Sequence, residues 1–199
     1  MTQIASVRLG RPPAASRQEV LGLAAAHYRE GRRVDVQGIA RELGLARATV
    51  HRWFGTRELL IGEVLASAAE AGLLAQRRAT AGGGACVLID SFYNYNRQLI
   101  ASAAFRALLA NEQDRALRIL TSSDGVVQPR MVATVQRLID AEVGAGRFIA
   151  PRGSAALAYA IVRLAEAFIY NDVAIGIRGE IERLREVQAS LMGVGARAG

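Results

Sequence analysis

Apolar residues recur along this chain at spacings of three and four, and no run alternates at period two for long enough to make a strand. That pattern confines the chain to helices packed on helices. Gly, Pro and Asp-Gly breaks cut it into segments of ordinary helical length. The expected fold class is all-α, with three short N-terminal helices followed by a helical bundle, about nine helices in all.

Helical pattern starts only after residue 15. Pro12-Pro13 block a helix until Ala14, and Arg8 and Arg11 flank Gly10, so residues 1–15 read as a flexible basic arm. Such an arm is either a plain tail or a minor-groove contact. Ser16-Arg-Gln-Glu19 has the form of a capping box. Val20, Ala24 and Tyr28 then follow on one face, to a stop at Gly31. Asp35 caps a second helix whose Val36, Ile39, Ala40 and Leu43 share a face, and Gly44 sits where a left-handed residue closes it. A third helix spans Arg47 to Trp53. Gly55 breaks it, and Thr56 caps a long fourth helix running to about Ala79.

Two short helices joined by Leu43-Gly44-Leu45-Ala46 have the length and turn chemistry of a helix-turn-helix, so residues 16–60 form one module. On the third helix Val50, Trp53 and Phe54 fall on the core side. Arg47, Ala48, Thr49, His51 and Arg52 fall outward. That face suits a major groove: Arg forks onto guanine, Thr reaches a base or phosphate, and Ala permits close approach. Arg57, beside the free N–H groups that open the fourth helix, is expected to clamp a phosphate, and Gln37 to do so from the second helix. Charge agrees. Residues 1–60 carry ten Arg against five acidic residues, while residues 61–199 carry fifteen against thirteen. All 25 basic residues are Arg, a bias that a GC-rich genome produces by itself, although the planar fork does suit phosphate and guanine. The implied partner is double-stranded DNA.

Residues 61–199 hold more apolar helix than such a reader needs. Gly82-Gly83-Gly84 is the clearest linker. Helical segments follow at roughly 85–101, 103–110, 112–122, 126–147, 154–175 and 179–193, punctuated by Asn111, Asp124-Gly125, Gly146, Pro151 and Gly176/Gly179. Phe92, Tyr95, Asn96, Phe105, Leu109, Leu120, Thr121, Gln128 and Val132 mix apolar walls with a few polar handles, as ligand pockets do, and as plain core also allows. Arg163 and Glu166 interrupt an apolar run at i, i+3 and can pair, either on a solvated rim or as a buried polar anchor. Leu157, Ile161, Leu164 and Phe168, and then Ile181, Leu184, Val187/Gln188 and Leu191, make two late amphipathic stripes that need burying.

Other classes find little support. Cys86 is the lone cysteine, so no internal disulfide exists and a reducing cytoplasm is expected. At a helix start its thiol is either a passive small residue or a redox sensor. No stretch approaches the ~18 consecutive apolar residues of a membrane span, so no membrane partner is expected. His27 and His51 sit in different helices, no metal-spaced cluster occurs, and Gly82–Gly84 lacks the strand and Lys of a phosphate loop. No cofactor and no enzymatic activity are expected.

The stretch from Val36 to Leu60 resembles the N-terminal domain of TetR-family regulators, with its Ile-Ala, Gly-Leu, Thr-Val and Arg-Glu-Leu-Leu elements in register. Ala46 stands where the family prefers a Ser cap, His51 where it has Tyr, Trp53 where it has His, and Arg57 where it has Lys. The runs Ala104–Leu109, Ala116–Gln128 and Tyr159–Tyr170 are similar to the QsdR-type subgroup, named for a repressor of a quorum-signal lactone degradation operon. The resemblance implies a TetR-like fold, with residues 61–199 as an effector-binding and dimerisation domain and a homodimer through the last two helices. It implies a repressor released from a palindromic operator by a small, largely apolar effector, with a lactone as candidate. An activator or a ligand-independent regulator of the same fold stays open.

Overall fold

The computed structural model describes residues 15–171 and 181–194. Arg8, Arg11, Gly176 and Gly179 lie outside the described residues. The helices are α1 (Arg17–Arg29), α2 (Val36–Glu42), α3 (Arg47–Phe54), α4 (Arg57–Ala79), α5 (Gly84–Ala101), α6 (Ala103–Thr121), α7 (Val127–Gly144), α8 (Ser154–Glu166) and α9 (Ile181–Leu191). A π-helical turn, Ala167–Asn171, prolongs α8. No strand occurs among the described residues.

Local signals account for the first four helices. The Ser16 hydroxyl accepts from the Glu19 N–H at 3.2 Å, while the Ser16 N–H donates to the Glu19 carboxylate at 2.7 Å, closing the capping box. Asp35 caps α2 through the N–H groups of Gln37 and Gly38, and Thr56 caps α4 through that of Leu59. Ala46 leaves α3 without a side-chain cap. Gly44 takes the left-handed conformation, φ 63°, that the tight turn requires. α4 has 23 residues and so reaches about 35 Å. It carries the chain from the N-terminal module into the bundle, packing on α1, α5, α6 and α7.

One apolar core crosses that boundary. Val20, Ile39, Val50 and Phe54 of the N-terminal module join Leu60, Phe105, Leu120 and Ile169 in a single cluster. A second cluster, with Leu73, Leu88, Phe92, Val135, Ile139 and Ile161, fills the far end of the bundle.

The break expected at Asn111 falls one residue on, at Glu112, which leaves helical geometry (φ −143°, ψ 43°) and kinks α6 into two helical halves. Two expectations change. The Gly82–Gly84 segment is a packed joint. Gly84 has φ +80°, its N–H donates to Glu142 Oε2 at 2.7 Å, and a Cβ there would lie 2.8 Å from the Arg147 carbonyl oxygen. Glu142 is buried at 1% exposure, and Arg147, the Gly84 N–H and Arg77 hold its carboxyl down to about 2. Secondly, most of the late amphipathic stripes is used within the protomer: Leu157, Ile161, Ile181, Leu184 and Gln188 are buried and Leu164, Phe168 and Val187 half-buried, with α9 packed on α5 and α8, while Leu191 stays exposed. The outward face of α8 is a different one, carrying Ala155, Ala156, Tyr159 and Arg163.

Gly84→Ala should therefore destabilise the protein by about 1–3 kcal/mol, through positive-φ strain and a clash with backbone that cannot step aside. Gly22→Ala, mid-helix in α1 with open space around it, should stabilise by about 0.5–1 kcal/mol. Urea unfolding midpoints read both. Equal effects from the two substitutions would refute the packed joint.

Candidate nucleic-acid interface and effector cavity

The helix-turn-helix turns the expected face outward. Arg47, Ala48, His51 and Arg52 are exposed on α3, Thr49 is half-buried, and Val50 and Phe54 are in the core. Gln37 is exposed in the first turn of α2. Arg47 and Arg52 have no acidic partner among the described residues, and neither has Arg41, an exposed α2 cation that sequence patterning does not single out. An uncapped helix with three free guanidiniums on and beside it offers donors to an anionic surface.

Arg57 does not join that face. Its Nε donates to the Val34 carbonyl at 2.6 Å, and both terminal nitrogens donate to the Glu112 carboxylate at 2.7 Å. The two side chains are only 16% and 18% exposed. Arg115 adds a 2.8 Å contact to the same carboxylate, and Arg33 lies 3.8 Å away. Arg57, followed by Arg115, drives the Glu112 carboxyl down to about 2. The phosphate clamp expected of Arg57 is thus replaced by an internal fork tying the α1–α2 loop and the start of α4 to the kink of α6. Local helix position marks Arg57 as a cation beside free N–H groups; only the tertiary arrival of Glu112 turns it inward.

Inside the bundle lies a cavity of about 400 Å³, within the range of small-molecule sites. Of the residues expected to line it, Phe92, Tyr95, Asn96, Phe105, Leu120, Gln128 and Glu166 do so. Four do not. Leu109 is packed in the core cluster, and Val132 packs against the second cluster. The Thr121 hydroxyl donates to the Leu117 carbonyl within its own helix. Arg163 is 45% exposed and reaches Glu166 from outside, at 2.7 Å. The expected Arg163–Glu166 pair therefore forms, with its acid at the cavity wall and its base at the rim. Patterning missed Tyr28 and Arg29 of α1, Tyr170 of the π-turn and Gln188 of α9, all of which line the same space. They come from segments distant in the chain, and no local signal marks them.

The lining carries little free charge. Burial pushes the Tyr28 hydroxyl up to about 12, and those of Tyr95 and Tyr170 higher still. Burial also lifts the Glu166 carboxyl to about 7, against the pull of Arg163. No group of His, Cys, Asp or Glu suited to hold a metal occurs among the described residues, and Cys86 is an exposed free thiol. No described helix is long and apolar enough to cross a membrane.

Comparisons with known proteins agree with this architecture. A family model described as "Tetracyclin repressor-like, C-terminal domain" matches residues 83–193. The chain is similar to the solved structure of QsdR, a TetR-family transcriptional repressor of R. erythropolis. The two are 26% identical, with 94% of this chain and 100% of that one covered and a TM-score of 0.86. It shares its fold with AlkX of Dietzia sp. strain DQ12-45-1b, a TetR-family repressor implicated in n-alkane biodegradation. There identity is 18%, coverage 92% and 96%, and TM-score 0.64. The fatty acid degradation regulator FadR of Bacillus halodurans also shares the fold, at 16% identity, coverage of 92% and 100%, and TM-score 0.55. No curated protein matches the chain significantly.

Two predictions follow from the buried acids. Glu112→Gln and Arg57→Ala should each lower stability by about 1.5–3 kcal/mol, whereas Arg47→Ala should change it by less than about 0.5. A phosphate-clamping Arg57 would leave Glu112→Gln silent in denaturant titrations. For Glu166 the folded pKa is raised, so its contribution to stability is complete below the unfolded value and is lost as pH climbs through about 7. Glu166→Gln should accordingly gain in melting temperature over the parent between pH 5 and pH 8.5; a difference that stays flat or narrows would contradict the burial of this acid.

Proposed function

The chain belongs to the tetracyclin repressor-like (TetR) family of transcriptional regulators, and from that premise we propose that it is a repressor which leaves a palindromic operator when a small, largely apolar effector fills the bundle cavity. It is a DNA-binding regulator and not an enzyme. The observation that carries the ligand-released reading is the cavity's position. One space is lined by Tyr28 and Arg29 of the reading module's first helix, by Leu65, Ala68, Ala69, Gly72 and Leu73 of α4, and by helices of the bundle. An occupant therefore touches the reader directly, as well as the long helix that supports it. Spreading or tilting α1 and α4 moves α3, and with it the distance between two reading heads.

Arg47, Ala48, Thr49, His51 and Arg52 are assigned to the major groove, with Gln37 on a phosphate. Arg57 acts as a support for the module. The lactone implied by resemblance to the QsdR-type subgroup is one candidate effector. Residues 61–199 provide the effector site and the homodimer. We assign the dimer to the last two helices, through the outward face of α8, where Tyr159 is 53% exposed. A two-fold pair places two reading heads on half-sites about one DNA turn apart.

Selection of bound sequences from random duplex DNA, followed by anisotropy titrations, tests this reading. A palindrome should emerge. Arg52→Ala should relax preference at one base position at a cost of about 1–3 kcal/mol, while Gln37→Ala should weaken all sequences alike. Equal sequence-blind losses from both would sink this division of roles. Tyr159→Glu should shift the sedimenting species from dimer to monomer; a dimer that survives it would move the interface off α8.

A further inference from the structure

Asn96 and Gln128 are each only 4% exposed, on α5 and α7, and both line the cavity. Neither side-chain amide makes a hydrogen bond among the described residues. Their polar atoms are not sealed in the core either, so they open onto the space they line. A third amide, Gln188, stands at 1% exposure in the same lining. Its Nε2 donates to the Ile161 carbonyl at 3.2 Å, which fixes the flip of the amide, and its Oε1 has no partner. Of these amide atoms only the Gln188 Oε1 is sealed and unmet, a state that costs about 1–3 kcal/mol, while the Asn96 and Gln128 amides face the space with their donors and acceptors uncommitted.

We propose that the cavity is built for an uncharged amphiphile whose polar group both donates and accepts a hydrogen bond, an amide or a hydroxyl beside a carbonyl, read by the side chains of Asn96 and Gln128. The inference rests on the reading of this cavity as the effector site and narrows the chemistry it takes. A carboxamide presents a donor and an acceptor together, and only a partner with both satisfies it. A plain ester or lactone offers acceptors alone and would leave the amide oxygens unmet. Arg29 is the one basic residue of the lining, and it is exposed, with its Nε bonded to the Ala25 carbonyl at 3.3 Å, so a carboxylate seated among the buried amides meets neutral donors. An ammonium finds Glu166 already paired with Arg163 at 2.7 Å. The remaining wall, with Phe92, Phe105, Leu120 and Ile161, suits a hydrocarbon body.

Calorimetric titration of the full chain with four size-matched probes tests this: N-hexylbutanamide, hexyl butanoate, decanoate and decylammonium. The first two differ only by N–H against O. The amide should bind at least about tenfold more tightly than the ester, and more tightly than either ion. In Asn96→Leu/Gln128→Met the amide should fall to the ester's affinity while the ester stays within about twofold, which also shows an intact cavity. An ester that equals the amide, an ion that binds best, no binding by any probe, or an amide preference surviving in the double variant would each overturn the proposal. If that variant does not fold, the parent protein's ranking of the four probes decides alone. Anisotropy of bound operator DNA separates the two readings. An amide preference without DNA release leaves this proposal standing and refutes the ligand-released repressor; release by ester and amide at equal affinity does the reverse.

Discussion

The attitude of the reading module on the bundle depends on one guanidinium. All three nitrogens of Arg57 are engaged, with the Val34 carbonyl on the reader side and both oxygens of Glu112 on the bundle side. A lysine could not make this contact, because a point charge cannot hold a carboxylate at both oxygens and a carbonyl at the same time. The kink is part of the same device. Glu112 leaves helical geometry within α6, at the point where its carboxylate meets Arg57 and Arg115. The first turn of this same α6, Ala103 to Phe105, lines the cavity. The first half of α6 thus borders the cavity at its start and ends at the kink that meets Arg57.

The cavity is therefore not an appendage of the bundle. Tyr28, from the reader, lines both the cavity and the crevice that contains Arg57 and Glu112. Phe105 and Tyr170 meet across its wall at 5.9 Å between ring centres. α4 runs beside all of this as a single helix, so the reader is supported at two places: the continuous helix and the Arg57–Glu112 fork. Apolar packing joins the same parts, since Val50 and Phe54 share a core cluster with Phe105 and Leu120. A module held by packing, a helix and a fork has few independent motions, which suits coupling between cavity and reader.

How much of this is legible in the sequence depends on how local each feature is. The capping box at Ser16, the Asp35 and Thr56 caps, the Gly44 turn and the outward face of α3 all follow from spacings within a few residues. The cavity is half legible. Phe92, Tyr95, Asn96 and Gln128 stand out as polar or aromatic interruptions of apolar helix, but Tyr28 and Gln188 arrive from opposite ends of the chain. Gly84 shows the same limit. Three glycines in a row look like slack, yet the positive φ at Gly84 and the approach of Arg147 make the last of them a packing requirement. The stripe through Leu157 and Ile161 is correctly apolar, but periodicity states only that a face is buried. It says nothing about whether the neighbour is α9 of the same protomer or a second copy.

An all-arginine composition reads first as codon bias, and the structure shows a physical consequence of it. In the bundle, arginines converge on a few acids. Arg77 and Arg147 meet on Glu142, Arg130 and Arg137 on Glu70, and Arg57 and Arg115 on Glu112. Each acid joins helices far apart in sequence, and each has its carboxyl lowered by the arginines on it. On α2 and α3 the arrangement is reversed: Arg41, Arg47 and Arg52 meet no acid among the described residues. Arg78, Arg97, Arg106, Arg118 and Arg152 of the bundle also meet no acid among the described residues, so an unpaired guanidinium does not by itself mark a binding face. What sets Arg41, Arg47 and Arg52 apart is their grouping on two adjacent short helices, where three unneutralised charges add in one place and favour the approach of a polyanion.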